Sequence, residues 1–209
     1  MCARNPWSRA DGAGDHREYD VTAQRAPKST GACPGCPSVG VVTNDFRTLL
    51  LLRHAKSDYP AGVADHERPL ATRGVREAVL AGDWLRAHTP AVDAVLCSSA
   101  TRTRQTLAHA RIDAPVTYLD RLYDATPGAV IKEINAVGPA VQTLLVVGHE
   151  PAMSHVALGL ATAEGSNTAA AEHISTKFPT SAIAVLRTAE PWDRLTLDSA
   201  ALVTFHVPR

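Results

Sequence analysis

Four consecutive leucines, Leu49 to Leu52, run directly into Arg53 and His54. The run is short and does not alternate with polar residues. It therefore reads as a strand buried on both faces rather than one with a wet side. Such a strand needs a sheet covered by helices above and below. Its end delivers a cation and an imidazole at the rim of that sheet.

The rest of the chain repeats this pattern of short apolar runs separated by helical stripes. Further strands are expected over Val92–Cys97, Val116–Leu119, Thr143–Val147, Ala182–Leu186 and Ala201–Phe205. Gly148 stops the fourth strand, and a turn near Pro191 joins the last two. Thr72 is expected to cap a helix with Val75, Ala78, Val79 and Leu85 on one stripe and Trp84 beside it. Residues Thr101–Ala110 read as a second helix, and Pro127-Gly128 opens a third through about residue 136. Pro151 suits the first turn of a fourth, whose stripe is Met153, Val156, Ala157 and Leu160. The alternation predicts a three-layer α/β/α domain with a mostly parallel sheet.

With 209 residues there is room for one well-packed domain. Lysines and arginines equal aspartates and glutamates at 21 each, which argues against a protein that coats nucleic acid. No apolar run approaches the roughly 18 residues needed to span a bilayer. The first residues lack the apolar stretch of a secretory signal, so a cytoplasmic location without a membrane partner is expected. Residues 1–44 are rich in Arg, Asp, Gly, Pro, Ser and Ala without helical or strand period, and are expected to be a disordered extension. Residues 45–209 are then the folded domain. Cys33 and Cys36 have CxxC spacing inside that extension, with no second pair of ligands nearby, and read as coincidental. Cys97 ends an apolar run and reads as a buried small hydrophobe. No metal-ligand motif is present, and neither metal nor cofactor is expected.

Three polar clusters fall at predicted strand ends: Arg53-His54, Ser98 to Arg102, and His149-Glu150. In an open α/β sheet ligands bind outside those ends. Arginine presents a planar fork to phosphoryl oxygens, and helices starting near Thr101 and Pro151 add free N–H groups. Two arginines nearby disfavour the imidazolium, leaving His54 neutral and able to attack. A lone Arg-His dipeptide is more often structural; three converging clusters reverse that reading.

These residues resemble the histidine phosphatase superfamily, also called the phosphoglycerate mutase-like fold. Its first segment, Arg-His-Gly, is similar to Arg53-His54-Ala55. Its second, Ser-Pro-x-x-Arg-Ala-x-Gln-Thr, is similar to Ser98-Ser99-Ala100-Thr101-Arg102-Thr103-Arg104-Gln105-Thr106, and its Gly-His segment to Gly148-His149. The resemblance implies His54 as phosphorylated nucleophile, with Arg53, Arg102 and His149 around the transferring phosphoryl group. It leaves Arg104 as a solvated charge. Within the superfamily the small SixA-type phosphohistidine phosphatases look most similar. Arg68-Pro69-Leu70-Ala71-Thr72-Arg73-Gly74 and Thr180-Ser181-Ala182-Ile183-Ala184 carry that narrower resemblance. It extends over about residues 48–205, with no long insertion over the site of the kind sugar-phosphate mutases carry. Ala55 and Ser99 stand where the superfamily has glycine and proline.

The proton donor is the least defined part. Mutase-like members use a glutamate in Leu-x-Glu; the similar segment is Leu122-Tyr123-Asp124, which makes Asp124 the candidate acid. It reads equally as a turn aspartate before Pro127-Gly128, and Asp58 is a weaker alternative. Arg68 and Ser98 are candidate substrate-binding residues, although Arg68 could equally pair with a carboxylate. Lys56 and His66 read as exposed loop residues, and Glu150 as a helix-start charge. The expected partner is a phosphohistidine protein or a small phosphorylated metabolite. A phosphatase of small phosphoesters on the same fold and a non-catalytic phosphate-binding module are the rival readings.

Overall fold

The computed structural model describes residues 46–209; the expectations for residues 1–44, Cys33 and Cys36 included, lie outside the described residues. Six strands form one sheet: β1 (Arg47–Arg53), β2 (Ala94–Ser98), β3 (Val116–Leu119), β4 (Thr143–Gly148), β5 (Ile183–Thr188) and β6 (Ala201–His206). Their order is β3-β2-β4-β1-β5-β6. The first four run parallel, while β5 is antiparallel to β1 and β6 to β5. The helices are α1 (Thr72–His88), α2 (Thr101–Ala110), α3 (Pro127–Asn135), α4 (Ala152–Leu160) and α5 (Thr168–Thr176).

The leucine run supplies both cores. Leu49 and Leu51 of β1 join Leu144 and Val146 of β4 on one face, packed by Ile134 of α3, Val156 of α4 and Ile174 of α5. Leu50, Leu52, Leu145 and Val147 point to the other face, packed by Leu85 of α1 and Leu107 of α2. Period-two alternation thus divides one apolar strand between two layers of helix. All four leucines are essentially inaccessible to solvent, and each contributes about 2 kcal/mol by leaving water. This is the expected three-layer α/β/α arrangement, with a sheet that is parallel except at its β5-β6 side.

Three local details differ from the sequence reading. The cap position of α1 is Ala71, not Thr72. Its buried face is made of Gly74, Ala78, Ala81, Gly82 and Leu85, while Val75 and Val79 remain half-buried. Small residues win there because a Cβ on Gly82 would lie 1.9 Å from the Ala110 carbonyl oxygen of α2. Helix α5 was not expected at all. Its sequence offers only Ala170 and Ile174 to the core, too few to show a stripe, although Asn167 caps it by accepting from the Ala170 N–H at 3.1 Å. Near Pro191 the chain makes a 3-10 turn, Trp192–Arg194, whose buried indole N–H donates to the Val141 carbonyl. Among the described residues no helix is long and apolar enough to cross a membrane.

Candidate active site

Sheet register brings the clusters together. Arg53 of β1 stands opposite Gly148 of β4, and Cys97 of β2 stands opposite Val147. Ser98 is therefore level with Arg53 and Gly148, and His54 and His149 emerge one residue beyond, all on three adjacent parallel strands. The His54 N–H donates to the Gly148 carbonyl at 3.0 Å, and the two imidazole centroids are 5.1 Å apart. A third segment closes the back. Ser181 has φ 64, and from this left-handed conformation its N–H reaches the carbonyls of both Arg53 and His54 at 3.2 Å. Holding a non-glycine residue there costs about 1 kcal/mol, which the doubled contact at the strand end offsets.

His54 is 8% exposed. Its Nδ1 lies 2.8 Å from the Ala55 carbonyl oxygen, an acceptor only, so Nδ1 carries the proton and Nε2 keeps its lone pair. Burial holds the ring's pKa down to about 4, with Arg102, Arg53 and Arg68 adding to the effect and the Ala55 hydrogen bond opposing it. The sequence reading ascribed the neutral ring to two arginines; desolvation is the larger cause and three arginines contribute. Ala55 is itself fixed by α2, since its N–H donates to Thr106 Oγ1 at 2.9 Å.

His149, 7% exposed, is held at about 3 by burial first and then by His54 and Arg102. Its Nε2 lies 2.9 Å from Ser98 Oγ, while Nδ1 is buried without a partner among the described residues. Ser98 is fully buried, and its hydroxyl orients that ring. Arg53 donates from Nη1 to the Phe178 carbonyl at 2.6 Å and keeps a buried Nε with no partner among the described residues. An unpartnered guanidinium N–H beside neutral imidazoles is the fitting expected around an anion.

Arg102, in the first turn of α2, donates to Asp65, from Nη2 to the carboxylate at 3.0 Å and from Nη1 to the main-chain carbonyl. The same carboxylate accepts from Arg68 Nη1 and, at 2.7 Å, from the Tyr123 hydroxyl. The Tyr123 hydroxyl and then the two arginines hold Asp65 well below the usual carboxylate range. Arg68 also donates to Ser57 Oγ at 2.6 Å and to the Asp58 carbonyl at 3.0 Å, with Tyr59 over its guanidinium at 3.4 Å. Arg68 thus pairs with a carboxylate, one of its two sequence options, and its charge also acts on His54.

The structure does not bring Asp124 into this cluster. It is exposed, has φ 51, and makes no hydrogen bond or ion pair among the described residues. The preceding side chain, Tyr123, is the one that enters, edge-on to His149 at 5.5 Å. The Asp58 carboxylate turns back onto the Tyr59 N–H. Glu150 accepts from the N–H and hydroxyl of Ser154, serving the start of α4. Arg104 lies on the outer face of α2 over Tyr118, and Lys56 is exposed. His66 is less free than expected, bonding Ser99 Oγ at 3.1 Å and Glu67 at 2.8 Å. Sequence reasoning missed Asp65, Tyr123 and Thr106. Thr106 closes the second quoted segment, so its place there was the available signal; Asp65 offered none.

Residues 49–133 match the histidine phosphatase superfamily (branch 1). A candidate phosphohistidine phosphatase SixA from Nakamurella multipartitia is 40% identical, with a TM-score of 0.72 over 78% of this chain and 96% of that one. The chain belongs to the histidine phosphatase superfamily. It is a phosphatase, built on the phosphoglycerate mutase-like fold. Another SixA-type structure, from Agrobacterium tumefaciens, is 30% identical with a TM-score of 0.62, covering 78% of this chain and 99% of that one. An uncharacterized protein of Mycobacterium tuberculosis (strain H37Rv) is 66% identical over 158 residues, 76% of this chain and all of that protein. Among the described residues no group of three His, Cys, Asp or Glu could hold a metal ion.

Proposed function

We propose that this superfamily member is a SixA-like phosphatase that removes the phosphoryl group from phosphohistidine on a protein, through a phosphohistidine intermediate at His54. The observation that carries the reading is the fixed tautomer of His54. Nδ1–H is committed to the Ala55 carbonyl, and Nε2 stands with a lone pair beside His149 and three arginines. In the first step Nε2 bonds to phosphorus as the phosphorus–nitrogen bond of the substrate breaks. The substrate's imidazole arrives protonated on its other ring nitrogen, so the electron pair of the broken bond stays on the released nitrogen and a neutral imidazole leaves, which lessens the need for a strong acid in the site. In the second step water attacks phosphorus, the bond to Nε2 breaks, and inorganic phosphate leaves with His54 neutral again. Arg53, Arg102 and His149 hold the equatorial oxygens through both steps, since phosphoryl transfer is mainly positioning and charge stabilisation.

The absence of a long insertion over the sequence segments of the site supports a protein-borne group over a small enclosed ester. SixA-type neighbours at 40% and 30% identity support the same substrate class. The test is turnover of a phosphohistidine-bearing protein against a panel of sugar phosphates, at matched enzyme concentration. The proposal expects kcat/KM for the phosphohistidine protein to exceed every ester by at least about a hundredfold, roughly 3 kcal/mol of transition-state preference. A sugar phosphate that matches or exceeds it would make the chain a small-ester phosphatase.

A further inference from the structure

One carboxylate sits among groups that otherwise serve an anion. Asp65 lies in a 3-10 turn, Asp65–Glu67, that buries none of its residues. Yet its carboxylate engages Arg68 through Oδ1, and Arg102 and Tyr123 through Oδ2. The two terminal nitrogens of Arg102, the edge that fits a pair of phosphoryl oxygens, both donate to this one residue. The other half of the cluster is arranged differently: the Arg53 Nε–H and His149 Nδ1 are buried without partners among the described residues. Arg102 is 8% exposed at its side chain while Asp65 is 52% exposed, so the cation is anchored and the anion hangs on a surface turn.

We propose that Asp65 is a specificity-determining place-holder, a carboxylate that occupies the fork of Arg102 until a phosphoryl dianion displaces it. This rests on the phosphoryl-binding reading of the site given above. A carboxylate carries one charge and a phosphoryl group close to two near neutral pH, so exchange at Arg102 favours the more highly charged ligand. Singly charged carboxylates and sulfonates compete with Asp65 on equal terms and gain nothing from the exchange. The displaced carboxylate has open solvent to enter, because Asp65 is itself exposed on its turn. Asp65 therefore reduces affinity for all anions and selects among them by charge. A scaffold carboxylate, holding Arg102 in its working position, would do the reverse: without it, phosphate would bind less well.

The two roles predict opposite signs, and calorimetric titration of the full chain with inorganic phosphate reads the sign without turnover. The variants are Asp65→Asn and Asp58→Asn; the second removes an equal charge from the same loop, where the carboxylate touches only the Tyr59 N–H. Asp65→Asn is expected to bind phosphate about tenfold tighter than the parent, and Asp58→Asn to stay within about twofold. Tyr123→Phe loosens Asp65 without changing charge and is expected to tighten phosphate about twofold to threefold; it decides the matter if Asp65→Asn does not fold. Unchanged or weaker binding in Asp65→Asn overturns the place-holder, as does equal tightening in Asp58→Asn. If the parent binds phosphate normally in those cases, the site reading survives. If neither parent nor Asp65→Asn binds phosphate, that reading falls and takes this inference with it.

Discussion

The imidazoles of His54 and His149 face each other at 5.1 Å and 54° because their strands are direct neighbours in register. A carbonyl fixes one ring through Nδ1 and a buried serine hydroxyl holds the other through Nε2. Both are desolvated and flanked by guanidinium groups, and both stay neutral well below the ordinary histidine range.

That neutrality has a measurable linkage. The unfolded chain protonates His54 near 6.5, while the folded chain resists until about 4. Below 6.5 the unfolded state therefore binds more protons, and stability falls as pH drops from 6.5 to 4, then levels. His54→Gln lacks this loss. The Tm of the variant relative to the parent is expected to rise steadily across that window in a series of thermal melts. A difference independent of pH would show that the folded ring titrates normally.

Ser98→Ala removes the hydroxyl beside His149 Nε2 and leaves a buried ring nitrogen without its partner. The expected cost is about 1–3 kcal/mol of stability by denaturant titration. Catalysis should lose about tenfold in kcat with KM little changed, because the ring's orientation matters most in the transition state. A rise in KM at unchanged kcat would instead assign Ser98 to ground-state substrate binding.

Gly74→Ala tests how α1 supports the nucleophile loop. A Cβ at Gly74 would lie 2.0 Å from the Lys56 carbonyl oxygen, two residues beyond His54. Backbone must move, and overpacking of this kind costs about 1–3 kcal/mol. A lower Tm accompanied by reduced kcat/KM is expected. Full activity would mean that the loop tolerates displacement at Lys56 without disturbing His54.

Asp124→Asn should keep activity within about twofold of the parent, since the exposed carboxylate makes no contact with the cluster. A fall of about a hundredfold or more in kcat would restore Asp124 as proton donor.

The sequence made the core and the candidate nucleophile legible for the same reason: both are written in contiguous segments. Leu49 to Leu52 announce a doubly buried strand, and Arg53-His54 follow on its end. The helix expected over about Thr101 to Ala110 is α2, and the Ser98-to-Thr106 segment located Arg102. Asp65 and Tyr123 were not legible. Their meaning comes from each other, since Tyr123 donates across 58 residues of sequence to the carboxylate that holds Arg102; Asp65 has no motif to mark it, and Tyr123 stands at the unspecified position of Leu-x-Glu. Asp124 was singled out by its offset in a motif, but a left-handed φ turns it outward and lets its neighbour enter. Helix α5 was hidden by its composition, because alanines bury little and make a faint stripe.

The central claim, a phosphoryl group carried on His54 Nε2, is tested most directly by trapping. Enzyme mixed with radiolabelled phosphohistidine protein and quenched in alkali within one turnover should carry label that survives base and is lost in acid. Peptide mapping should place it on the segment containing His54, and His54→Ala should carry none. Label on another residue, or turnover by His54→Ala at the parent's rate, would contradict the account.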